Sequence, residues 1–161
     1  MHCPSFHTWR PALGLGAFFW VDAMDDDLRL RKILTGTRVI ALVGWSPNPD
    51  RPSNGVARFL KARGFRVIPV NPGQAGMAVL GEVVRASLAD IKEPVDMVDI
   101  FRRSEAAGAV VDEALASLKG LKTIWMQLGA RDDAAAERAR AQGLEVVVNR
   151  CPAIEIPRLG L

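Results

Sequence analysis

The residues best suited to chemistry lie in one stretch, Gly44-Trp45-Ser46-Pro47-Asn48-Pro49-Asp50-Arg51-Pro52-Ser53. It follows an apolar run, Thr37 to Gly44, and precedes a segment in which Val56, Ala57, Phe59 and Leu60 recur at helical spacing. At a strand-loop-helix junction, free backbone N–H groups and the positive end of the helix dipole face whatever lies beyond the strand, which suits an anion such as a phosphate. Gly44 permits a close turn, Ser46, Asn48 and Ser53 carry hydrogen-bonding side chains, and Arg51 adds a full positive charge. The same composition also describes an ordinary proline-stiffened βα loop closed by a Ser53 helix cap. Composition alone leaves both readings open.

Several better-known chemistries are excluded. A dinucleotide fingerprint needs three spaced glycines here and an acidic residue ~20 positions on. The loop has only Gly44 before Gly55, and the next strand ends in Val70-Asn71-Pro72. No GK[ST] follows, so this is no P-loop. The only histidines are His2 and His7, and tyrosine is absent. A Ser-His-Asp constellation and a Tyr-Lys pair therefore cannot be assembled, and no catalytic residue is assigned. Cys3 and Cys151 match no metal-ligand spacing, so no metal site is expected, and the cysteine usage reads as reduced and cytoplasmic. The net charge of +3 is dispersed, which argues against a nucleic-acid groove and is compatible with an anionic small molecule.

The elements that must position this loop alternate. Thr37 to Gly44 reads as a strand buried on both faces, Ser53 to Gly64 as an amphipathic helix, and Phe65 to Val70 as a second strand whose Pro69 requires an edge or a strand end. A short strand around Glu82 to Val84 and a helical turn at Leu88 to Ile91 follow. Val95 to Phe101, Leu121 to Leu128 and Leu144 to Asn149 are further strands, separated by helices over Ser104 to Leu118 and Asp132 to Gln142. This order predicts an α/β, Rossmann-like, doubly wound and mainly parallel sheet with helices on both faces. Ligands of such sheets sit beyond the C-terminal strand ends, where the strand order reverses.

Other residues near those ends have competing readings. Arg102 and Arg103 suit phosphate contacts or a solvated helix start. Trp125 is expected in the core, and Glu155 as a partner of Arg150 or Arg158. Asp96 and Asp99 read as strand-end hydrogen-bonding groups. Cys151 is either a packing cysteine or a low-pKa thiol able to form a mixed disulfide.

Before this domain, residues 1–23 behave differently. Pro11 to Val21 is apolar but far short of the ~20 residues that a membrane span needs, and acidic residues follow it. The expectation is a poorly ordered or mis-started leader, with Met24 as the natural start of a single domain over 24–161. A short amphipathic helix is expected at Leu28 to Leu34.

Six motifs in order carry a resemblance: SPNPDRPS at Ser46 to Ser53, VIPVNP at Val67 to Pro72, SLADI at Ser87 to Ile91, VDIFRRSE at Val98 to Glu105, WMQLG at Trp125 to Gly129, and NRCPAIEIPRL at Asn149 to Leu159. From about Asp25 onward, the chain resembles small CoA-binding-domain proteins related to the succinyl-CoA synthetase α subunit and ADP-forming acyl-CoA synthetases. The resemblance implies that Gly44, Trp45, Ser46, Asn48, Arg51 and Ser53 surround the CoA diphosphate, with Trp45 where the family often has a smaller residue. It places Asn71 and Pro72 near the adenosine end, Phe101 and Arg102 beside the nucleotide or pantetheine arm, and Gln127 to Gly129, with Gln127 and Gly129 as the named contacts, closing the site. The implied role is to bind coenzyme A or an acyl-CoA as a non-catalytic carrier, sensor or subunit, with a protein partner or a homo-oligomer as further expectations. The ligase relatives need a phosphohistidine from another domain, for which the body of this chain has no histidine. The alternative is a small NAD(P)- or nucleotide-dependent enzyme.

Overall fold

The computed structural model describes residues 15–161, with side chains described from Asp22 onward. Of the segment 1–23, residues 1–14 lie outside the described residues. Helix α1 (Leu15–Thr35) is followed by β1 (Val39–Val43), α2 (Pro52–Ala62), β2 (Arg66–Val70), β3 (Ala78–Val79), β4 (Glu82–Val83), β5 (Met97–Ile100), α3 (Ser104–Ser117), β6 (Thr123–Met126), α4 (Asp133–Ala141), β7 (Glu145–Val147) and α5 (Pro152–Arg158). Single 3-10 turns occur at Pro72–Gln74 and Leu88–Asp90.

The five long strands form one parallel sheet in the order β2-β1-β5-β6-β7, and β3 and β4 form a separate antiparallel hairpin. The chain therefore winds outward from β1 to β2, crosses back over β1, and continues through β5, β6 and β7. The direction reverses between β1 and β5, which opens a crevice at their C-terminal ends. Strand period then divides the core. Ile40, Leu42, Met97 and Trp125 face α1, α2 and α5, while Ala41, Val43, Val98, Ile100, Ile124 and Met126 face α3 and α4.

Both sheet edges are covered locally. Pro69 lies on the edge strand β2, as its missing N–H requires, and its carbonyl accepts from the Arg85 N–H at 2.9 Å. On the other edge, Arg29 of α1 reaches β7, donating to Val146 O and to Glu145. The helix expected at Leu28 to Leu34 is the C-terminal part of the longer α1, and α5 lies beyond the last expected strand. Among the described residues, no helix is long and apolar enough to cross a membrane.

α5 is anchored by charge. Glu155 is buried and accepts from Arg158 Nε at 2.7 Å and from Arg150 at 3.4 Å, while the same two arginines pair with Asp27 and Asp26 of α1. This is the structural role the sequence suggested for Glu155, with α1 added. Replacing Glu155 with Ala is expected to lower unfolding free energy by ~1–3 kcal/mol, measured by urea denaturation, because the arginines lose the acceptor that joins them.

Candidate functional site

The site is built on a close approach. Gly44 ends β1 with φ +90°, and a Cβ there would lie 2.2 Å from the Phe101 carbonyl oxygen at the end of β5. Backbone bonds fix this contact: Phe101 N–H donates to Val43 O at 2.8 Å, and Gly44 N–H to Val70 O at 2.9 Å. The chain then turns and folds its loop onto itself. Ser46 N–H donates to Ser53 Oγ at 3.1 Å, Asn48 N–H to Ser46 Oγ at 3.2 Å, and Asp50 N–H to Asn48 Oδ1 at 3.0 Å. Asn54, which the sequence did not single out, is buried and donates to Ser46 O at 2.9 Å.

Ser53 is not the α2 cap. The helix starts at Pro52, with Arg51 at the N-cap and no side-chain cap bond. Proline preorganises that first position, which needs no N–H, and so frees the Ser53 hydroxyl to hold the loop. Asn71 joins the second strand to the first: Nδ2 donates to Trp45 O at 2.7 Å, and Oδ1 accepts from Gly73 N–H at 3.0 Å. Opposite, Ser104 Oγ accepts from Arg131 N–H and donates to Gly129 O, while Gly129 N–H donates to Asn149 Oδ1. Ser104 and Asn149 thus shape the loop after β6.

These loops enclose a cavity of ≈ 560 Å³ lined by Gly44, Ser46, Arg51, Pro52, Ser53, Asn71, Phe101, Arg102, Arg103, Gln127, Leu128, Gly129 and Ala130. That volume falls within the ~300–1,000 Å³ of small-molecule sites. Trp45, Asn48 and Pro72 do not line it. The turn at Gly44 carries Trp45 into the layer of Leu42 and Trp125, where it is 2% exposed, and Asn48 and Pro72 lie on exposed surface. Pro52 and Leu128, which lie within the two segments expected to form the site, line the cavity, and so does Ala130, to which the sequence reading assigned no individual role. Ala130 follows a strand end, and that position was its only signal.

Among the described residues, no carboxylate lines the cavity. Arg51, Arg102 and Arg103 line it together, and among the described residues none of them forms an ion pair; Arg31, Arg38, Arg58 and Arg63 form none either but lie off the cavity wall, and the other eight described arginines are paired. The cavity wall therefore carries positive charge that no lining carboxylate neutralises.

Beneath it lies a carboxyl group. Asp96 behaves as a strand-end group, accepting from Arg38 and Val39 N–H at 2.9 Å each. Asp99 does not. It sits within β5 between Leu42 and Trp125, fully buried, with Gln127 Nε2 donating to both oxygens at 2.8 and 3.1 Å. Burial pushes its pKa up to about 7 against those hydrogen bonds. Cys151 at the N-cap of α5 is also buried, and burial raises its pKa, which makes it a packing cysteine rather than a low-pKa thiol. Trp125 is core, donating from Nε1 to Arg150 O at 2.8 Å.

Fold and cavity together define a Rossmann-like α/β domain with a cationic crevice at its switch point. The chain belongs to the CoA binding domain family, whose sequence profile matches residues 38–157. It is 34% identical over 122 residues to the uncharacterized protein YneT of Bacillus subtilis (strain 168), covering 76% of this chain and 87% of YneT. It is similar to the structure of cell-free ID.343 from Thermus thermophilus, with 38% identity, 83% of this chain and 98% of that one covered, and a TM-score of 0.78. A more distant likeness, of fold alone, is to the dinucleotide forming acetyl-coenzyme A synthetase 1 of Ca. Korarchaeum cryptofilum in complex with phosphate and ADP. There the identity is 22% and the TM-score 0.59, over 71% of this chain and 26% of that one.

Two stability measurements check this geometry. Gly44→Ala combines a strained positive φ with a clash against fixed backbone, and is expected to cost ~2–4 kcal/mol in chemical denaturation. Asp99 has a raised folded-state pKa, so the folded chain holds its proton while the unfolded chain releases it near pH ~3.9. Its contribution is therefore complete below that pH and lost as pH rises to about 7. Relative to Asp99→Asn, wild-type unfolding free energy should fall by on the order of a few kcal/mol between pH 4 and pH 7.

Proposed function

We propose that the chain binds coenzyme A or an acyl-CoA in this cavity, as a non-catalytic carrier, sensor or subunit. The observation that carries the reading is the meeting of three unpaired guanidinium groups, Arg51, Arg102 and Arg103, in a crevice without a carboxylate. CoA presents a diphosphate and a 3′-phosphate, and guanidinium groups bind such oxygens bidentately. The apolar part of the wall suits the pantetheine arm: Phe101 lies at the end of β5, and Leu128 is 59% exposed beside the arginines. Family membership supports the same ligand class. The loop after β1 is held by its own hydrogen bonds before any ligand arrives, so little ordering entropy opposes binding.

The reading places the protein in a reducing cytoplasm, and catalysis, where CoA chemistry follows, with a partner subunit. Nothing at Asn71 offers a carboxylate to a ribose, which disfavours NAD.

Thermal-shift titration with CoA, acetyl-CoA, NAD, NADP and ATP tests the reading, since a ligand of the folded state raises Tm by mass action. A selective shift with CoA or its thioester is expected, with affinity falling about tenfold or more in Arg51→Ala and in Arg102→Ala, as lost charge-assisted bonds imply. A shift with NAD or NADP alone would overturn it in favour of a nucleotide-dependent enzyme.

A further inference from the structure

Asp99 is an expensive residue with one partner. A carboxyl group in the apolar layer of a central strand costs free energy unless something uses it. Among the described residues it binds no backbone group and no cation, and both its oxygens accept from the Gln127 amide. Gln127 is itself 5% exposed, follows β6, and forms part of the cavity wall. The pair is therefore a hydrogen-bonded link from the middle of the sheet to the anion site.

The chemistry of that link depends on one proton. An ionised carboxylate only accepts, so the Gln127 NH2 group must face it, and the end left for the cavity is the acceptor Oε1. A protonated Asp99 carries a donor of its own, and the amide can then turn its NH2 group to the cavity. An anionic ligand favours the second state twice over, through the donor it gains and through the negative charge it no longer faces.

We propose that Asp99 is a positioning residue that couples proton uptake to anion binding in the cavity by setting the orientation of the Gln127 amide. The inference rests on the cavity being the CoA site. The groups around Asp99 leave it free to act so. Its register neighbours are Leu42 on β1 and Trp125 on β6, and the Cys151 thiol at the start of α5 lies close to Asp99 and within hydrogen-bonding reach of the same Gln127 side chain. Glu155 of α5 is engaged by Arg150 and Arg158, and Arg51, Arg102 and Arg103 of the cavity do not hold the Asp99 charge.

The test is an NMR titration of the full chain, following the Asp99 13C carboxyl and Gln127 side-chain 15N signals, first alone and then saturated with inorganic pyrophosphate or with CoA. The expected result is that Asp99 titrates near neutrality, Gln127 moves with the same midpoint, and a bound anion raises that midpoint. In parallel, the affinity of wild type relative to Asp99→Asn should fall about tenfold from pH 6 to pH 8, a ratio in which the ligand's own phosphate titration cancels. An Asp99 midpoint near an ordinary carboxylate's, a Gln127 signal indifferent to it, or CoA binding with no change in midpoint would overturn the coupling and leave the CoA reading standing. A midpoint raised by pyrophosphate in a chain that does not bind CoA would support the coupling and overturn the CoA reading. Binding of neither would overturn both.

Discussion

The contact between Gly44 and the Phe101 carbonyl governs the molecule's working end. Strands β1 and β5 are hydrogen-bonded neighbours up to Val43 and Ile100, and their continuations must separate there because the chain leaves the sheet toward opposite faces. Glycine permits this with backbone almost touching backbone, since a Cβ would lie 2.2 Å from oxygen. A larger residue would push the strand ends apart and move both arginine-bearing loops. The crevice, the turn that buries Trp45 and the gathering of Arg51 and Arg102 at one cavity all follow from this approach.

Charge is distributed accordingly. Off the cavity wall, many arginines are consumed in pairs and networks: Arg29, Arg150 and Arg158 join α1 to β7 and α5, and Arg66 and Arg85 share Glu82 and Glu93. At the crevice they are left unpaired. Neutralised arginines elsewhere keep the net charge small, while the local field at the crevice remains positive. A modest overall charge was therefore a poor guide to the site, and the gathering of three unpaired arginines in one cavity is a better one.

Much of the frame was legible because it depends on local period. TRVIALVG and VDMVDIF are strands buried on both faces, and the helices between them follow a 3.6-residue pattern. α5 was illegible because seven residues holding Pro152 and Pro157 look like a loop, although proline suits the first turn of a helix. Of the site, Gly44, Ser46, Arg51, Ser53, Asn71, Phe101, Arg102, Gln127 and Gly129 come together at the cavity. Trp45 lies off the cavity wall because the reversal at Gly44 moves it to the Leu42 face, a change of parity that residue types do not encode. Asp99 carried a usable signal: Met97 and Phe101, its neighbours at a spacing of two, are apolar, so the face it occupies is a buried one. Its partnership with Gln127 joins two strands 28 residues apart and needed the sheet order.

The most direct test of the central claim, that the unpaired arginines make this crevice a CoA site, is a crystal structure of the full chain with CoA. The account predicts the diphosphate against the loop after β1, with Arg51 on one side and Arg102 or Arg103 on the other, and the pantetheine arm along Phe101 and Leu128. CoA bound away from the β1 and β5 ends, or a crevice still empty at saturating CoA, would contradict it.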